Sequence, residues 1–396
     1  MKSITPVKKT GTAIPFWRDE RVLNAFTQII SAVLVIGFLT WVVINFIDSA
    51  RARGLALNFN FLDKPAGFPI SDPAIEYDSN MSFARAFLVG LLNTLRVSVL
   101  GVVVATVLGT LVALARLSTN WLLSRMALVY IEFHRNIPLL VLLFIWYFTV
   151  FAKLPPVDEA IVLPGPIFLS QRGIFLTWPR LTETGGIFMV SVILGVLIAI
   201  IAYFMLRRRR TITGKETYYL PISLALLLGL PLIGWFASGG NPLYLDVPMK
   251  VGFNFQGGTR LAREFSGLFV ALVMYTAAFI AEVVRAGIQA VRRGQVEAAR
   301  AVGLSNMQVL SLVVFPQALR VMIPPMISQY LNLTKNSSLA LAIGYQEVFS
   351  VGKIAINQAG RAVPVFAMVM VTYLTMSLLT SLILNIYNRR IQFIER

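Results

Sequence analysis

Residues Glu297 to Pro316 read EAARAVGLSNMQVLSLVVFP, and this stretch decides how the whole chain is organised. It sits in a basic segment between two apolar runs, at about 264–285 and 313–335. Ala298 and Ala299 are small enough to let a helix lie close against another surface. Gly303 permits a turn that a Cβ would resist, and Pro316 suits the start of a further helix. The expected unit is a short helix, a glycine turn and a return into the apolar phase. Such a loop outside a bilayer implies spans on both sides of it.

Composition agrees. The chain has 396 residues, of which 57% are hydrophobic and 13% charged, with a mean hydropathy of +0.74, well outside soluble-domain usage. A net charge of +17 would suggest nucleic acid in a soluble protein. Here the charges flank apolar runs, and no nucleic-acid partner is expected. With no cysteine and one histidine, His134, disulfides, thiol catalysis and Cys- or His-rich metal sites are excluded. The first 25 or so residues are polar, unlike a cleavable signal peptide.

About 20 helical residues cross a hydrocarbon core. Runs of that order lie at 26–47, 87–115, 126–151, 187–206, 217–237, 264–285, 313–335 and 363–387. The fold class expected is an all-α integral membrane protein of about eight transmembrane helices. In the third run Glu132, His134 and Arg135 intervene, so 117–135 reads as an amphipathic lead-in helix near the surface and Pro138 as the start of the span. The seventh run holds Pro316, Pro324 and Pro325 and is expected to be kinked or broken.

Charge sets the orientation. Lys2, Lys8, Lys9, Arg18 and Arg21, then Arg116 and Arg125, Arg207 to Arg210 with Lys215, Arg285, Arg292, Arg293 and Arg300, and Arg389, Arg390 and Arg396 all fall on one side. The longer segments 48–86, 152–186, 238–263 and 334–362 carry fewer. By the positive-inside rule both termini are cytoplasmic, as is the Glu297 loop. The expected divisions are a cytoplasmic tail 1–25, a first helix 26–47 and a periplasmic loop 48–86. Then come 87–151, a segment 152–263 carrying the helix pair 187–206 and 217–237, 264–387 with the loop at about 286–312, and a tail 388–396. Asp63 to Asp78 reads as a polar outer loop or short surface element, and proline-rich 153–183 as irregular.

The Glu297 stretch resembles the EAA loop of bacterial ABC importer permeases: Glu-Ala-Ala, three residues, Gly, nine residues, Ile, one residue, Leu-Pro. Glu297, Ala298, Ala299, Gly303, Val313, Phe315 and Pro316 stand at those spacings, with Val and Phe replacing Ile and Leu. Further segments at 91–118, 130–148, 277–305 and 315–344 are similar to permeases for polar amino acids (histidine, glutamine, arginine). Glu132, Arg135, Pro138 and Leu139 match, whereas His134, Asn136, Ile137 and Asn336-Ser337 depart. The extra first span and inserted pair resemble the long permease subunit of general L-amino-acid and glutamate/glutamine/aspartate/asparagine importers. The resemblance implies a five-helix type I importer core in a bacterial inner membrane. It also implies a shorter sister permease, an ABC ATPase dimer docking on the EAA loop, a periplasmic amino-acid-binding protein and an amino acid substrate. ATP and Mg would be bound by the ATPase, and no cofactor by this chain.

The residues fit that division of labour. No G-x-x-x-x-G-K-[ST] phosphate loop occurs: Gly214-Lys215 is followed by Glu216, and Gly352-Lys353 by Ile354, so ATP hydrolysis must reside elsewhere. Ionisable or polar groups at membrane depth mark a pathway or a paired contact. Asn332, Lys335, Asn336, Ser337 and Ser338 form the densest such cluster; they either recognise a zwitterion or cap a helix end. Arg96, near the outer boundary, either attracts a carboxylate or snorkels to the interface. Glu282 and Arg285, like Glu132 and Arg135, are spaced for local pairs. Arg207 to Arg210 fit topology and contact with anionic membrane lipid. The alternative function is an ion-coupled secondary amino acid transporter, which would need midplane acids or paired broken helices. A membrane enzyme lacks candidate groups.

Overall fold

The computed structural model describes residues 20–52 and 58–391. Lys2, Lys8, Lys9, Arg18 and Arg396 of the two expected tails lie outside them. Seven helical segments among the described residues are long and apolar enough to cross a membrane, and a bent pair makes an eighth if taken as one span.

Helix α1 (Glu20–Ala52) is apolar on all sides and its most apolar stretch buries none of its surface against the chain. After it, the expected polar outer loop instead packs inward. Phe61, Ala66, Phe68 and Ile70 are buried against Phe83 and Phe87 of α2 (Phe83–Arg116) and against Val348 and Val351. The acidic residues lead 63–78 to be read as a polar loop or short surface element; the apolar residues between them hold it against α2 and α11 as a cap.

The third expected span is bent. Helix α3 (Trp121–Asn136), capped by the Asn120 side chain, is followed by α4 (Leu139–Phe144), a wide turn Ile145–Val150 and a tight turn Phe151–Lys153. The two limbs meet at 106°, because Pro138 lacks an N–H and keeps Ile137 extended. The lead-in helix and the Pro138 start are therefore both present.

Residues 153–183 are not irregular. They form β1 (Ile161–Leu163), β2 (Ile167–Ser170), β3 (Gly173–Leu176) and β4 (Trp178–Leu181). Helices α5 (Gly185–Thr213) and α6 (Tyr219–Ala237) follow, then β5 (Leu243–Asp246), β6 (Met249–Val251), β7 (Asn254–Gln256) and β8 (Thr259–Ala262). The order β1-β2-β3-β8 makes one antiparallel sheet, with Gly173 opposite Ala262; β4 pairs with β5 and β6 with β7. Pro164 and Pro166 fall between β1 and β2 and Pro179 lies within β4 of a two-stranded ladder, where proline is tolerated at an edge; Phe168, Phe175 and Phe255 form a small core. The fold remains mainly α-helical. The strands occupy only the segments that flank the α5–α6 hairpin.

Helix α7 (Arg263–Gln289) is the central strut, packed on α2, α3, α4 and α10. A Cβ at Gly109 would stand 2.7 Å from the Ala277 carbonyl and 2.8 Å from Ile280. Lipid chains are as apolar as leucine, so this close approach, rather than exclusion from water, drives α2 onto α7. Beyond it come α8 (Arg293–Ala301), α9 (Asn306–Gln308), a wide-turn segment Val309–Val314, α10 (Phe315–Asn336), a tight-turn segment Ser337–Ile343, α11 (Val348–Ala359) and α12 (Ala362–Ile391).

Helix α10 starts at Phe315 with Pro316 in its first turn, as expected, but the helical path that it continues already begins after the Ser305 cap and runs from Asn306 to Ile343. Pro316 falls inside it. The wide turn covers residue 312, whose carbonyl the Pro316 ring would otherwise crowd. Pro324 and Pro325 also lie within continuous α10 and do not break it.

Candidate coupling loop and translocation face

The loop from Glu297 to Gln308, the candidate coupling loop, is built from two interlocked caps. At the end of α8 the Gly303 N–H donates to Arg300 O (2.9 Å) and the Leu304 N–H to Ala299 O (3.2 Å). This is a Schellman closure, which needs a left-handed residue, and Gly303 has φ +84. Space around it is open, so the backbone conformation, not crowding, demands glycine. Two residues on, Ser305 Oγ accepts from the Gln308 N–H (3.4 Å) while Gln308 Oε1 accepts from the Ser305 N–H (2.9 Å), a capping box.

Ala299 turns inward onto Val309 and Val314. Glu297 and Ala298 face outward, beside Val302 and Met307, which are 77% and 72% exposed. A carboxylate, a methyl and two largely exposed apolar side chains are thus grouped on one loop, a candidate contact surface. Pro316, also exposed, lies farther along, in the first turn of α10.

The polar cluster near Lys335 divides in two. Ser328, Asn332 and Lys335 are exposed, with Gln317 partly exposed. Their spacing places all four on one face of the Asn306–Ile343 span. Asn336 flanks this face, half buried. Ser337 is fully buried and its Oγ donates to Thr334 O (2.7 Å); Ser338 Oγ donates to Lys335 O (2.8 Å). Both hydroxyls donate within their own helix, and both also reach the Tyr373 hydroxyl of α12.

Arg96 is held by the chain. Its Nη1 lies 3.3 Å from Asp72 Oδ1 and its guanidinium 4.5 Å from the Phe265 ring centroid. Asp72 belongs to the folded-down outer segment, so the pair ties that cap to α2. Glu282 and Arg285 form the expected pair (2.7 Å), extended by Arg285 to Gln289 (2.7 Å). Glu132 and Arg135 do not pair as expected. Glu132 accepts from Asn136 (3.0 Å) and Arg135 lies over Phe279, because the bend after Asn136 turns Arg135 toward α7.

Sequence reasoning missed Glu347. It is fully buried at the N-terminus of α11, where it accepts from the Ser350 N–H (2.8 Å), the Phe349 N–H (3.0 Å) and Tyr373 Oη (2.6 Å). Burial pushes its carboxyl above the usual range, against the hydrogen bonds from Tyr373, Phe349 and Ser350. Burial likewise raises the neighbouring Tyr345 hydroxyl, with Asp72 adding and Arg96 opposing. Beside them Asn93 Nδ2 donates to Gln346 O (2.9 Å), and Gln346 reaches Pro69 O and the Ser71 N–H. The N-terminal parts of α2 and α11, Tyr373 of α12 and the 61–70 cap are thus one hydrogen-bonded knot. The signal was a helix-capping Glu just after Gly344, and an Asn within the apolar run of α2.

Known proteins resolve what such a scaffold is. A family described as the inner membrane component of binding-protein-dependent transport systems matches residues 217–393, from α6 through the coupling loop to α12. The putative amino-acid ABC transporter permease protein YhdX of Escherichia coli (strain K12) is 45% identical over 370 residues, covering 93% of this chain and 94% of that protein. The chain is an ABC importer permease. The general L-amino acid transport system permease protein AapQ of Rhizobium johnstonii is 42% identical, over 99% of this chain and 98% of its own length. The glutamate/glutamine/aspartate/asparagine transport system permease protein BztB of Rhodobacter capsulatus is 39% identical, with 96% of each chain covered. These relatives match along the outer β segments and the α5–α6 hairpin too, so the permease core and its additions form one inherited chain. As a permease subunit it is not itself an enzyme; ATP is hydrolysed by a separate subunit. Among the described residues no group of three or more His, Cys, Asp or Glu is placed to hold a metal ion.

Proposed function

We propose that this permease imports polar L-amino acids as the longer of two different permease subunits. Its partners are a shorter sister permease, an ABC ATPase dimer that binds ATP and Mg, and a periplasmic amino-acid-binding protein. The observation that carries the reading is the exposed face of α10. Gln317, Ser328, Asn332 and Lys335 line up along a span, and polar groups at that depth face a cavity or another protein chain rather than lipid. An amino acid presents a carboxylate for Lys335 and polar groups for Asn332 and Ser328. Arg96 and Ser337, occupied within the chain, are left out of this path. The relatives named for amino-acid transport support the substrate class.

In this reading both termini are cytoplasmic, which the distribution of Lys and Arg supports. ATPase closure draws the Glu297–Gly303 loops together, and the movement passes through α7 and α10 to open the α10 face to one side at a time.

The assembled transporter in proteoliposomes tests this. Uptake of labelled glutamine or glutamate is expected to require ATP and the binding protein. Uptake that proceeds without ATP and collapses with the proton gradient would overturn it. Topology is testable because the chain has no cysteine. Gln171→Cys should react with an impermeant thiol reagent from outside, and Thr211→Cys and Ser305→Cys should not. Ser170 and Ser238 are buried and would report poorly.

A further inference from the structure

Helices α5 and α6 pack extensively on each other, and among the described residues neither makes more than marginal contact with another helix. Gly234 faces Ser191 and Gly195 faces Pro231, so their backbones close tightly in the outer half. Toward the Arg207 end the pair opens into a groove of about 280 Å³, lined by Val196, Ala199 and Tyr203 of α5 and Leu220, Leu224 and Leu227 of α6. Tyr203 and Tyr219 close that end edge to face, with ring centroids 5.5 Å apart. Arg207 lies 5.9 Å over Tyr203, and Arg210 lies 5.6 Å over Tyr219.

The helical repeat explains the continuity. Val196, Ala199, Tyr203, Arg207 and Arg210 recur at three- and four-residue steps, so they share one face of α5. Arg208 and Arg209 point away from it. Of the two groove-side guanidinia, Arg207 hydrogen-bonds the Tyr203 hydroxyl (3.3 Å), and Arg210 has a long contact to Glu216 (3.9 Å). Neither is neutralised by a close carboxylate. An apolar groove closed by two tyrosines, with a guanidinium over each ring, has the polarity of one molecule, an acyl chain below a phosphate.

We infer that the α5–α6 groove is a binding site for an anionic diacyl phospholipid, its phosphate held by Arg207 and Arg210 and an acyl chain lying against Ala199 and Leu224. The lipid anchors the end of the hairpin that no other helix supports; the other end is held by the β4–β5 ladder. Arginine suits the role because its fork can meet phosphate oxygens in pairs, and basic pockets between helices on the cytoplasmic side favour anionic headgroups.

Native mass spectrometry of the assembled transporter, equilibrated with equal phosphatidylglycerol and phosphatidylcholine, tests the site. Wild type should retain phosphatidylglycerol preferentially. Arg207→Gln/Arg210→Gln should lower that preference about tenfold, while Arg208→Gln/Arg209→Gln should leave it nearly unchanged. Water-soluble glycerophosphoglycerol should not displace the lipid; displacement would mean a site for a free phosphate ester and would overturn the proposal. Equal retention of both lipids by wild type, or equal losses in the two variant pairs, would also overturn it. Should the variants fail to assemble, a photoactivatable phosphatidylglycerol on wild type decides. Adducts are expected on peptides spanning 196–227, and adducts spread evenly over α1 and α12 would defeat the site.

Discussion

The exposed faces of α10 and of the α5–α6 hairpin differ in one respect that separates their roles. On α10 the outward stripe carries Gln317, Ser328, Asn332 and Lys335. On the hairpin the outward residues are Ile193, Leu197, Ile201, Leu228 and Leu232. Both faces are uncovered by the rest of the chain, yet only the second can lie in hydrocarbon without cost. Exposure within a membrane subunit is therefore two things, contact with lipid or contact with a partner or pathway, and side-chain polarity separates them. The coupling loop adds a third case. There Val302 and Met307 are apolar and 77% and 72% exposed at the turn between two helices, and in the proposed reading they meet a protein partner.

The largest expected effect comes from placing a charge on the hairpin face. Leu197→Lys at mid-span should cost about 2.5–3.5 kcal/mol of insertion free energy, measured as lost protein in the membrane fraction. Normal abundance would show that this face meets water or protein and erase the contrast with α10. Next is removal of charge from α10. Charge-assisted hydrogen bonds are worth roughly 1.5–3 kcal/mol, so Lys335→Met should weaken apparent substrate affinity about ten- to hundredfold with assembly intact. Asn332→Ala should cost less, since water partly replaces a neutral amide. Unaltered uptake in both variants would move recognition to the sister subunit.

The coupling loop ranks third. A β-branched residue at φ +84 bears left-handed strain of about 1–2 kcal/mol or more, so Gly303→Val should deform the loop. Val302→Asp puts a charge into the docking surface. Both should reach the membrane but lose substrate-stimulated ATP hydrolysis; full stimulation would remove the loop from the docking interface. The smallest effect is expected from Leu197→Ala, within about 0.5 kcal/mol, with uptake and abundance unchanged. A clear transport defect there would reveal a partner on the hairpin face.

Much of this molecule is local in sequence and was readable as such. Spans follow from runs of apolar residues, and the coupling loop follows from Glu297, Ala298, Ala299 and Gly303, whose turn chemistry acts within a few residues. Even the early helix restart was encoded locally, in Ser305 and Gln308, though Pro316 drew attention away from it. The split of the polar cluster was less accessible. Lys335 and Ser337 are two residues apart, and only the packing of neighbouring helices turns one outward and buries the other.

What sequence alone determined, then, is the membrane-helix architecture, the short helix and glycine turn at Glu297–Gly303, and the family. Those properties depend on composition, periodicity and short spacings. Tertiary structure decided the pairing of Gly173 with Ala262 across the inserted hairpin, the Arg96–Asp72 tie, the Glu347 knot and the groove that ends at Arg207 and Arg210. Each joins residues that are far apart in the chain or places side chains on opposite sides of one helix. Strand pairing and buried hydrogen bonds are satisfied by whichever distant partner the fold delivers, and no local pattern names that partner.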